Sequence, residues 1–453
     1  MKRRIERRTF LKQSVMAGAG VMVLRSGILH GKSPNEKLNI AGIGVGGRGW
    51  GDLNAVRSEN IVALCDVNAK NLAKAAKQFP DAKTYVDWRK CLEQKDIDAV
   101  VCGTTDHTHA FINVWAMNRG KHVYCEKPIA NSVEEARLVR DVYLKNKDKL
   151  ATQMGTQIHA SDNYRRIVEL VRSGAIGTIK DAHVWCSRTP AGGGYLPEEP
   201  VPDHINWDLW VGPSPMHPYN PGYIGGCLKW NRFWDFGSGQ IGDMGSHMMD
   251  MAAWPLDLGL ATSCQAEGPE KNDATVPTWL KVSWDQPATD WRPAIKVHWY
   301  DGGKKPGMPM EIINREAAFK GTLIRGDKGW LLCDYGWRIL RPSDDLTYFK
   351  PPTKETLIPP SIGHHAEWVL GCKEGKPTTC NFDYSGMLIE NNMLGLVSYR
   401  LGQMETRKTK DGEEKVCVGK KLKWDAKDIQ ADGCPEADQY IKKTYREGWT
   451  LNG

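Results

Sequence analysis

Short apolar runs alternate with longer, helix-forming stretches from Leu38 to about residue 157. The apolar runs predict β-strands at 38–43, 60–66, 98–104, 122–127 and 150–157. Helices are predicted near 109–119 and 132–146, and the second opens with the capping box Ser132-Val133-Glu134-Glu135. This alternation is typical of an α/β domain, a parallel sheet with crossover helices. After a helix near 161–173, the run that begins at Gly177 opens a strand-rich second half.

The first predicted strand leads into a glycine-rich turn, Gly42-x-Gly44-x-x-Gly47, and then into a helix. Glycines at such a turn permit a tight bend, a close approach of the backbone to a pyrophosphate, and close helix–strand packing. The following helix N-terminus offers free N–H groups to phosphates. The pattern therefore predicts a dinucleotide site, which also takes in Gly46 and Arg48.

The second predicted strand ends in Asp66, nineteen residues after Gly47. A carboxylate at this distance accepts hydrogen bonds from a ribose 2′-hydroxyl and repels a 2′-phosphate. The position therefore favours NAD over NADP as the cofactor. Arg48 leaves NADP open as the less favoured alternative, because a nearby cation tolerates the extra phosphate.

Polar residues cluster where the predicted strands end. Ligands of open parallel sheets bind beyond the carboxyl ends of the strands, so these residues are expected around one crevice. The candidates for cofactor binding there are Thr104, Thr105, Asp106, His109, Glu126, Lys127, Thr156 and Gln157.

The segment 242–250, "GDMGSHMMD", places Asp243 and His247 four residues apart. If this segment is helical, the carboxylate and the imidazole share one face, about one turn apart. A simpler interpretation is a helix N-terminus whose acid favours the helix dipole and whose histidine is packed in the core.

Four motifs together resemble the Gfo/Idh/MocA family, which includes glucose–fructose oxidoreductase and inositol dehydrogenase. They are the glycine turn, "TTDHTH" at 104–109, "EKP" at 126–128, and the spacing of Asp243 and His247. The resemblance covers most of 37–260. It implies an N-terminal Rossmann dinucleotide-binding domain and a C-terminal α+β domain with a large, mostly antiparallel open sheet. It also implies that Lys127, Asp243 and His247 meet at the substrate beside the nicotinamide, and that the chain forms a dimer or tetramer.

We expect an NAD-binding domain over 33–158 and a substrate-binding and oligomerisation domain over 159–453. A Pro/Gly-rich insertion occupies 187–240, and long loops of this kind are often functional. Six tryptophans lie between 185 and 254, and their indole faces suit the C–H faces of a sugar. Trp230, Arg232 and Trp234 are the candidates for substrate binding. The alternative is that the tryptophans fix the insertion or fill a subunit interface.

The formal charge of +7 comes entirely from residues 1–32, so the remainder of the chain has no net charge and needs no nucleic acid partner. Arg7 and Arg8 precede Phe10-Leu11-Lys12 and a short apolar stretch, a pattern similar to a twin-arginine leader. It predicts export to the periplasm by the Tat translocase, without stable membrane insertion. An Ala-x-Ala cleavage site is missing, so the pattern does not define where this leader ends.

Cysteines and histidines give no sign of disulfides or of a metal. No Cys-x-x-Cys occurs among the twelve cysteines, several of which lie in apolar runs, so no obligatory disulfide is expected. His364 and His365 are adjacent, and neighbouring helical side chains point about 100° apart. No third ligand follows at a recognisable spacing, so we predict no metal site.

These observations predict an oxidoreductase that acts on a secondary hydroxyl of a sugar or glycoside. An exported enzyme meets no ready NAD pool, so the cofactor is expected to stay tightly bound. One alternative is a redox-neutral, NAD-dependent glycosidase that cleaves through a keto intermediate and elimination. Another is a sugar or NAD sensor without turnover, which the presence of Lys127, Asp243 and His247 disfavours.

Overall fold

The computed structural model describes residues 36–307, 319–342, 344–345, 347–409 and 412–452, so the predicted leader at 1–32 lies outside the described residues. The first domain contains a six-stranded parallel sheet in the order β3-β2-β1-β4-β5-β6. Its strands are β1 (Asn39–Ile43), β2 (Asn60–Cys65), β3 (Lys83–Tyr85), β4 (Ala99–Cys102), β5 (His122–Cys125) and β6 (Thr152–Met154). All five predicted strands are present, and Glu126 and Lys127 lie just beyond the end of β5.

Five helices connect these strands. They are α1 (Gly47–Ala55), α2 (Ala69–Ala76), α3 (Trp88–Cys91), α4 (Asp106–Asn118) and α5 (Val133–Asn146). Helix α4 begins three residues earlier than predicted. Helix α5 begins as predicted, with Ser132 Oγ accepting the N–H of Glu135 at 3.2 Å. The Glu135 carboxylate reaches back to the N–H of Asn131 at 2.7 Å, one residue before the partner expected of a capping box.

The second half forms an eleven-stranded mixed sheet. Its strands pair in an antiparallel sense, except for β7 and β10, which run parallel at its centre. The strands are β7 (Ile179–Cys186), β8 (Ser263–Gly268), β9 (Lys281–Gln286), β10 (Ile295–Asp301), β11 (Lys320–Gly326), β12 (Gly329–Asp334), β13 (Trp337–Pro342), β14 (Gln403–Thr409), β15 (Gly412–Val418), β16 (Leu422–Asp425) and β17 (Gln430–Ala431). The predicted fold class, a Rossmann domain followed by an α+β domain with a mostly antiparallel sheet, is confirmed. The exact domain limits stay predictions.

The described part of the second half also contains eight α-helices. They are α6 (Asp162–Arg172), α7 (Trp207–Val211), α8 (Cys227–Trp230), α9 (Gly239–Met248), α10 (Asp250–Leu256), α11 (His364–Glu374), α12 (Phe382–Arg400) and α13 (Asp438–Ile441). Helix α12 packs against α5, and the Arg137 guanidinium donates to both carboxylate oxygens of Glu390 at 2.8 and 2.7 Å. Helix α11 returns to the outer face of the first sheet, where Trp368 packs beside Tyr124. The two halves therefore share one continuous core.

The insertion at 187–240 has a small aromatic core of its own. Helices α7 and α8 contribute tryptophans to it, and the link to α9 contributes Phe233 and Phe236. Its main chain crosses the edge of the first sheet, where the Asn206 N–H donates to the Val67 carbonyl at 2.9 Å and the Ala69 N–H donates to the His204 carbonyl at 2.8 Å. The insertion is therefore an ordered cover next to the end of β2.

All twelve cysteines are free thiols, and Cys227 alone is not fully buried. Burial raises the pKa of several of these thiols, as for Cys91, whose pKa is raised to about 12. They therefore behave as small core residues. Within the described ranges, no helix combines the length and the apolar character that crossing a bilayer requires.

We predict that His122 makes folding stability sensitive to acid. Its Nδ1 accepts the Ala151 N–H at 2.9 Å, and burial lowers its pKa from 6.5 to about 4. Between these values the unfolded state binds a proton that the folded state does not, so stability is lost as pH falls below 6.5. In His122→Gln, which keeps an acceptor but does not titrate, this loss is removed. Relative to the variant, the wild type should therefore lose about 2 kcal/mol of unfolding free energy between pH 8 and pH 5. Denaturant titrations at the two pH values measure the shift, and a constant difference would contradict it.

Candidate functional site

The glycine turn connects β1 to α1 at the carboxyl edge of the first sheet. Gly44 has φ +77°, and a Cβ there would lie 2.7 Å from the backbone of Gly103, so glycine is required at this bend. Helix α1 begins at Gly47, and no described side chain caps its N-terminus. Its first N–H groups are therefore available to a phosphate, as the predicted pyrophosphate site requires.

Close helix–strand packing occurs at Gly49, not at Gly47 as the predicted motif would have it. A Cβ at Gly49 would lie 1.9 Å from the Gly44 carbonyl oxygen, whereas a Cβ at Gly47 would meet no described atom within 4 Å. Gly47 is needed instead for its backbone, with φ +51°. The overlapping spacing Gly44-x-Gly46-x-x-Gly49 contains the signal that the sequence reasoning missed.

Asp66 lies at the end of β2, beside this turn. One carboxylate oxygen accepts the Val45 N–H at 3.0 Å, and the other accepts the Asn68 N–H at 2.8 Å. Burial raises its pKa, and these hydrogen bonds oppose the rise. The Asn71 side chain and the Gly46 N–H also contribute hydrogen bonds to this carboxylate, and an acid at this position accepts ribose hydroxyls in dinucleotide-binding folds. The carboxylate therefore fits the adenosine ribose of NAD.

The contacts of Arg48 do not favour binding of NADP. Its guanidinium donates to Asp52 at 2.5 Å and to Glu126 at 3.2 Å. The Asp52 carboxylate balances its charge, and Glu126 accepts a second hydrogen bond from it. Burial lowers the pKa of Arg48, but these two acids hold it above the usual value. This pairing removes the cation that a 2′-phosphate would need.

The loops after β4 and β5 are joined by His109, which is fully buried. Its Nδ1 lies 2.7 Å from the Pro128 carbonyl and its Nε2 lies 3.2 Å from the Thr104 carbonyl. Burial lowers its pKa to about 4, although the two carbonyl oxygens oppose this, so the neutral ring donates to one of these carbonyls and contacts the other. The Cys102 and Cys125 thiols lie within 4.8 Å of this imidazole, but both ring nitrogens face carbonyl oxygens. His109 therefore positions the two loops and has no nitrogen directed to a metal.

The other predicted residues of the crevice lie at the same edge. Thr104 Oγ1 accepts the Thr108 hydroxyl at 2.7 Å, and Thr105 and Asp106 begin α4. Gln157 Nε2 donates to Glu126 at 2.5 Å, which ties the β6 loop to the β5 loop. Burial and the nearby Asp52 carboxylate raise the pKa of Glu126 to about 8. The structure therefore brings these residues together around one cleft.

Lys127 and Asp243 form a buried ion pair between the two halves of the chain. Their side chains are 13% and 5% exposed, and the Lys127 ammonium donates to Asp243 Oδ1. Burial opposes charge on Lys127, but the carboxylates of Asp243 and Glu126 hold its pKa above the usual value. Burial likewise opposes charge on Asp243, and the Lys127 ammonium holds its pKa below the usual value. Both groups are therefore charged at neutral pH.

His247 lies one turn after Asp243 on α9, as predicted. Its Nδ1 is closed off from solvent and has no hydrogen-bond partner among the described residues. Burial and the Lys127 ammonium lower its pKa to about 3, although the Asp243 carboxylate opposes this. His247 as a whole is partly exposed and its imidazole is neutral, so the accessible part of the ring is able to accept a proton from a bound hydroxyl.

Three further side chains lie close to Asp243 or His247, and the sequence analysis did not predict them. Arg188 Nη1 lies 3.4 Å from Asp243 Oδ2, and the Cys227 thiol lies 3.9 Å from the same oxygen. The Tyr335 ring lies 6.3 Å from the His247 ring, and its hydroxyl is buried with no partner among the described residues. Arg188 lies two residues after the end of β7, so a cation near a strand end was the available signal. Cys227 and Tyr335 gave none.

The predicted substrate residues each make contacts within the protein. Trp230 is 7% exposed and packs in the insertion core. The Arg232 guanidinium lies 4.7 Å from the Phe233 ring. The Trp234 indole donates to the Asn272 carbonyl at 2.9 Å and stacks on Arg400. This geometry favours the alternative, that the tryptophans fix the insertion, and substrate binding by these three residues stays a prediction.

Comparison with known families decides the identity of this architecture. The profile described as "Oxidoreductase family, NAD-binding Rossmann fold" matches residues 37–154, and the profile described as "Oxidoreductase family, C-terminal alpha/beta domain" matches 173–288. Both are Gfo/Idh/MocA profiles, and together they cover just over half of the chain. The chain belongs to the Gfo/Idh/MocA family of oxidoreductases.

Curated members of this family resemble part of the chain. Levoglucosan dehydrogenase of Pseudarthrobacter phenanthrenivorans is 30% identical over 199 residues, which is 42% of this chain and 41% of that protein. Inositol 2-dehydrogenase of Salmonella paratyphi B is 31% identical over 125 residues, which is 27% of this chain and 37% of that protein. The matches thus span about two fifths of the length of these relatives.

Solved structures of the family share the fold over most of the chain. The WlbA dehydrogenase of Chromobacterium violaceum, in complex with NADH and UDP-GlcNAcA, has a TM-score of 0.57 and 18% identity, and the match covers 84% of this chain and 97% of that one. A levoglucosan dehydrogenase in complex with NADH and levoglucosan has a TM-score of 0.51 and 19% identity, with coverages of 79% and 96%. The NAD-binding Rossmann fold and NAD as the cofactor, predicted from the glycine turn and Asp66, agree with these family matches.

We predict that Gly49→Ala disrupts the cofactor turn. The added Cβ must displace the Gly44 backbone, so NADH binding should weaken at least tenfold and unfolding free energy should fall by about 1–3 kcal/mol. Gly51→Ala is the matched control, because Gly51 lies in the same helix and its Cβ would meet no described atom within 4 Å. That variant should bind NADH normally and gain up to about 1 kcal/mol. NADH fluorescence titration and thermal denaturation measure both, and equal behaviour of the two variants would contradict the prediction.

Proposed function

We propose that this protein is an NAD-dependent oxidoreductase that interconverts a secondary hydroxyl and a ketone on a sugar or glycoside. The observation that carries the proposal is the buried Lys127–Asp243 ion pair with His247 one turn away, at the edge where the glycine turn and Asp66 would hold NAD. The family's sugar and inositol dehydrogenases support a carbohydrate hydroxyl as the substrate class.

The three side chains have distinct roles in the proposed reaction. When bound, NAD supplies the acceptor for a hydride from the carbinol carbon. His247, neutral at pH 7, takes the hydroxyl proton as a general base. Lys127 donates a hydrogen bond to the same oxygen and stabilises its developing negative charge. Asp243 keeps Lys127 charged and in place, and Arg188 stabilises Asp243 from its second oxygen.

We also propose that the protein is exported and keeps its cofactor bound. The twin arginines at Arg7 and Arg8 support export. Cofactor retention is supported by the insertion, whose residues 204–206 bond to the main chain of Val67 and Ala69, directly after Asp66. A cover at this position would oppose departure of the adenosine end of NAD.

We predict that Lys127→Ala lowers turnover by about 10²–10³-fold while NAD binding persists. His247→Asn should lower turnover by about 10²–10⁴-fold, because it removes the base. Lys149→Ala, at an exposed lysine of the same domain, is the control and should turn over normally. NADH absorbance at about 340 nm, with mass spectrometry of products from a panel of sugars and glycosides, gives the readout. A normal rate in Lys127→Ala would remove its assignment.

The products separate the alternatives. A ketone formed together with NADH supports the proposal. A cleaved glycoside without net NADH identifies the redox-neutral glycosidase, and binding without any product identifies a sensor. Each of these last two outcomes replaces the proposed function.

We predict that Ile205→Ala speeds the loss of NAD from the purified protein. Ile205 is buried in the insertion core and forms a β-bridge with Asn68, so its truncation loosens the cover where it meets the first sheet. Val201→Ala, at an exposed residue of the same insertion, is the matched control. Dilution followed by chromatographic measurement of retained nucleotide should show at least threefold faster loss in Ile205→Ala. Equal rates in all three proteins would show that the insertion does not retain the cofactor.

A further inference from the structure

A cavity of about 200 Å³ lies apart from the Lys127, Asp243 and His247 side chains. Its walls come from the link between the insertion and α9, the start of α5, the end of α12, and the segment 439–445 near the C-terminus. We call it the tail cavity. Its volume is below the roughly 300 Å³ at which drug-sized ligand pockets begin, so it suits a molecule of one ring or less.

Arg400, at the end of α12, is the main cation of the tail cavity. Its guanidinium lies 4.9 Å from the Trp234 ring and 4.1 Å from the Tyr440 ring. Its side chain makes no hydrogen bond or ion pair with any described residue. Burial lowers its pKa, although nearby acids oppose this. A partly desolvated guanidinium with five donors and no acceptor is costly, and it is well suited to a planar or tetrahedral oxyanion.

Lys443 adds a second cation to the same cavity. The Lys443 ammonium donates to the side-chain oxygen of Asn131 at 2.9 Å. In this orientation of the amide, its nitrogen also has hydrogen-bond acceptors. Burial lowers the pKa of Lys443, and the Glu135 and Asp235 carboxylates oppose this from a distance. Its direct partner is therefore an amide and not a carboxylate.

Three carboxylates line the tail cavity: two are already hydrogen-bonded to other groups, and the third, Asp273, is exposed and forms no ion pair with a described cation. Asp235 accepts the Tyr195 hydroxyl at 2.5 Å and lies 2.7 Å from His217 Nε2. Glu135 accepts the Asn131 N–H at 2.7 Å and the Tyr445 hydroxyl at 3.1 Å. Neither carboxylate forms an ion pair with Arg400 or Lys443. The two cations therefore lack a counter-charge in direct contact.

We propose that the tail cavity binds a small molecule that carries a carboxylate, sulfate or phosphate group, with Arg400 and Lys443 as its anion-binding groups. The guanidinium, held between two aromatic faces, presents its edge to two oxygens of the anion. The ammonium supplies a third hydrogen bond and a second charge. This site is separate from the proposed catalytic pair and does not depend on the reaction assigned to it.

The experiment is isothermal titration calorimetry of the full-length protein at constant ionic strength. The probes are inorganic phosphate, sulfate and glucuronate, with glucose as the neutral match for glucuronate. We expect saturable one-to-one binding of at least one oxyanion, and at least tenfold weaker binding of glucose. Arg400→Gln and Lys443→Gln should each weaken oxyanion binding at least tenfold. Arg57→Gln, at an exposed arginine two residues after the end of α1, is the charge-matched control and should bind as wild type.

Further variants separate this site from the catalytic one. Lys127→Ala should keep oxyanion binding, whereas loss of binding there with normal binding in Arg400→Gln would move the anion to the catalytic cleft and overturn the proposal. Arg400→Lys keeps the charge but loses the two-pronged contact, so it should bind several-fold more weakly than wild type. If Arg400→Gln does not fold, Lys443→Gln decides alone. Absence of binding by all three oxyanions also overturns the proposal.

Discussion

The buried ion pair between Lys127 and Asp243 is the interaction on which the rest of the site depends. Each charge alone would be strongly disfavoured at this depth, and breaking such a pair typically costs about 3–5 kcal/mol. Lys127 follows β5 of the first domain, and Asp243 lies on α9 of the second. The pair therefore forms only when both halves fold and dock. Docking also brings the Lys127 charge near His247, where it helps to keep the imidazole neutral.

Several contacts make this docking rigid. His109 ties the β4 loop to the β5 loop, and Gln157 ties the β6 loop to Glu126. Between the halves, the bidentate contact from Arg137 to Glu390 fixes α5 against α12. Donors that are held in place stabilise charge strongly in a site that excludes water. We therefore expect this rigidity to contribute more to charge stabilisation than to substrate affinity.

The insertion connects three features that a sequence presents separately. Its start carries Arg188 to the Asp243 carboxylate, its middle bonds to the backbone after Asp66, and its end leads into the wall of the tail cavity. Its tryptophans form the core that holds this path in shape. The packing of this core is thus sufficient to explain why the insertion is rich in aromatic residues. Contact with a sugar would be an additional role.

The sequence by itself determined the α/β class, five of the six strands of the first sheet (all but β3), and the residues at their carboxyl ends. Strands and turns leave local signals, because alternating apolar runs and glycines act within a few residues. The pattern also identified Lys127, Asp243 and His247, although only through the family resemblance. It placed the close-packing glycine two positions early, since two overlapping glycine spacings fit and local sequence cannot choose between them.

Tertiary structure alone decided which cations have partners. Arg48 contacts Asp52 and Glu126, whereas Arg400 contacts two aromatic faces and forms no ion pair with a described acid. It also brought Arg188 to Asp243 and Tyr335 to His247, and it placed Trp230 in a core. These outcomes depend on contacts between residues far apart in the chain, and the free energy of a charge is set by its three-dimensional surroundings, not by its neighbours in sequence.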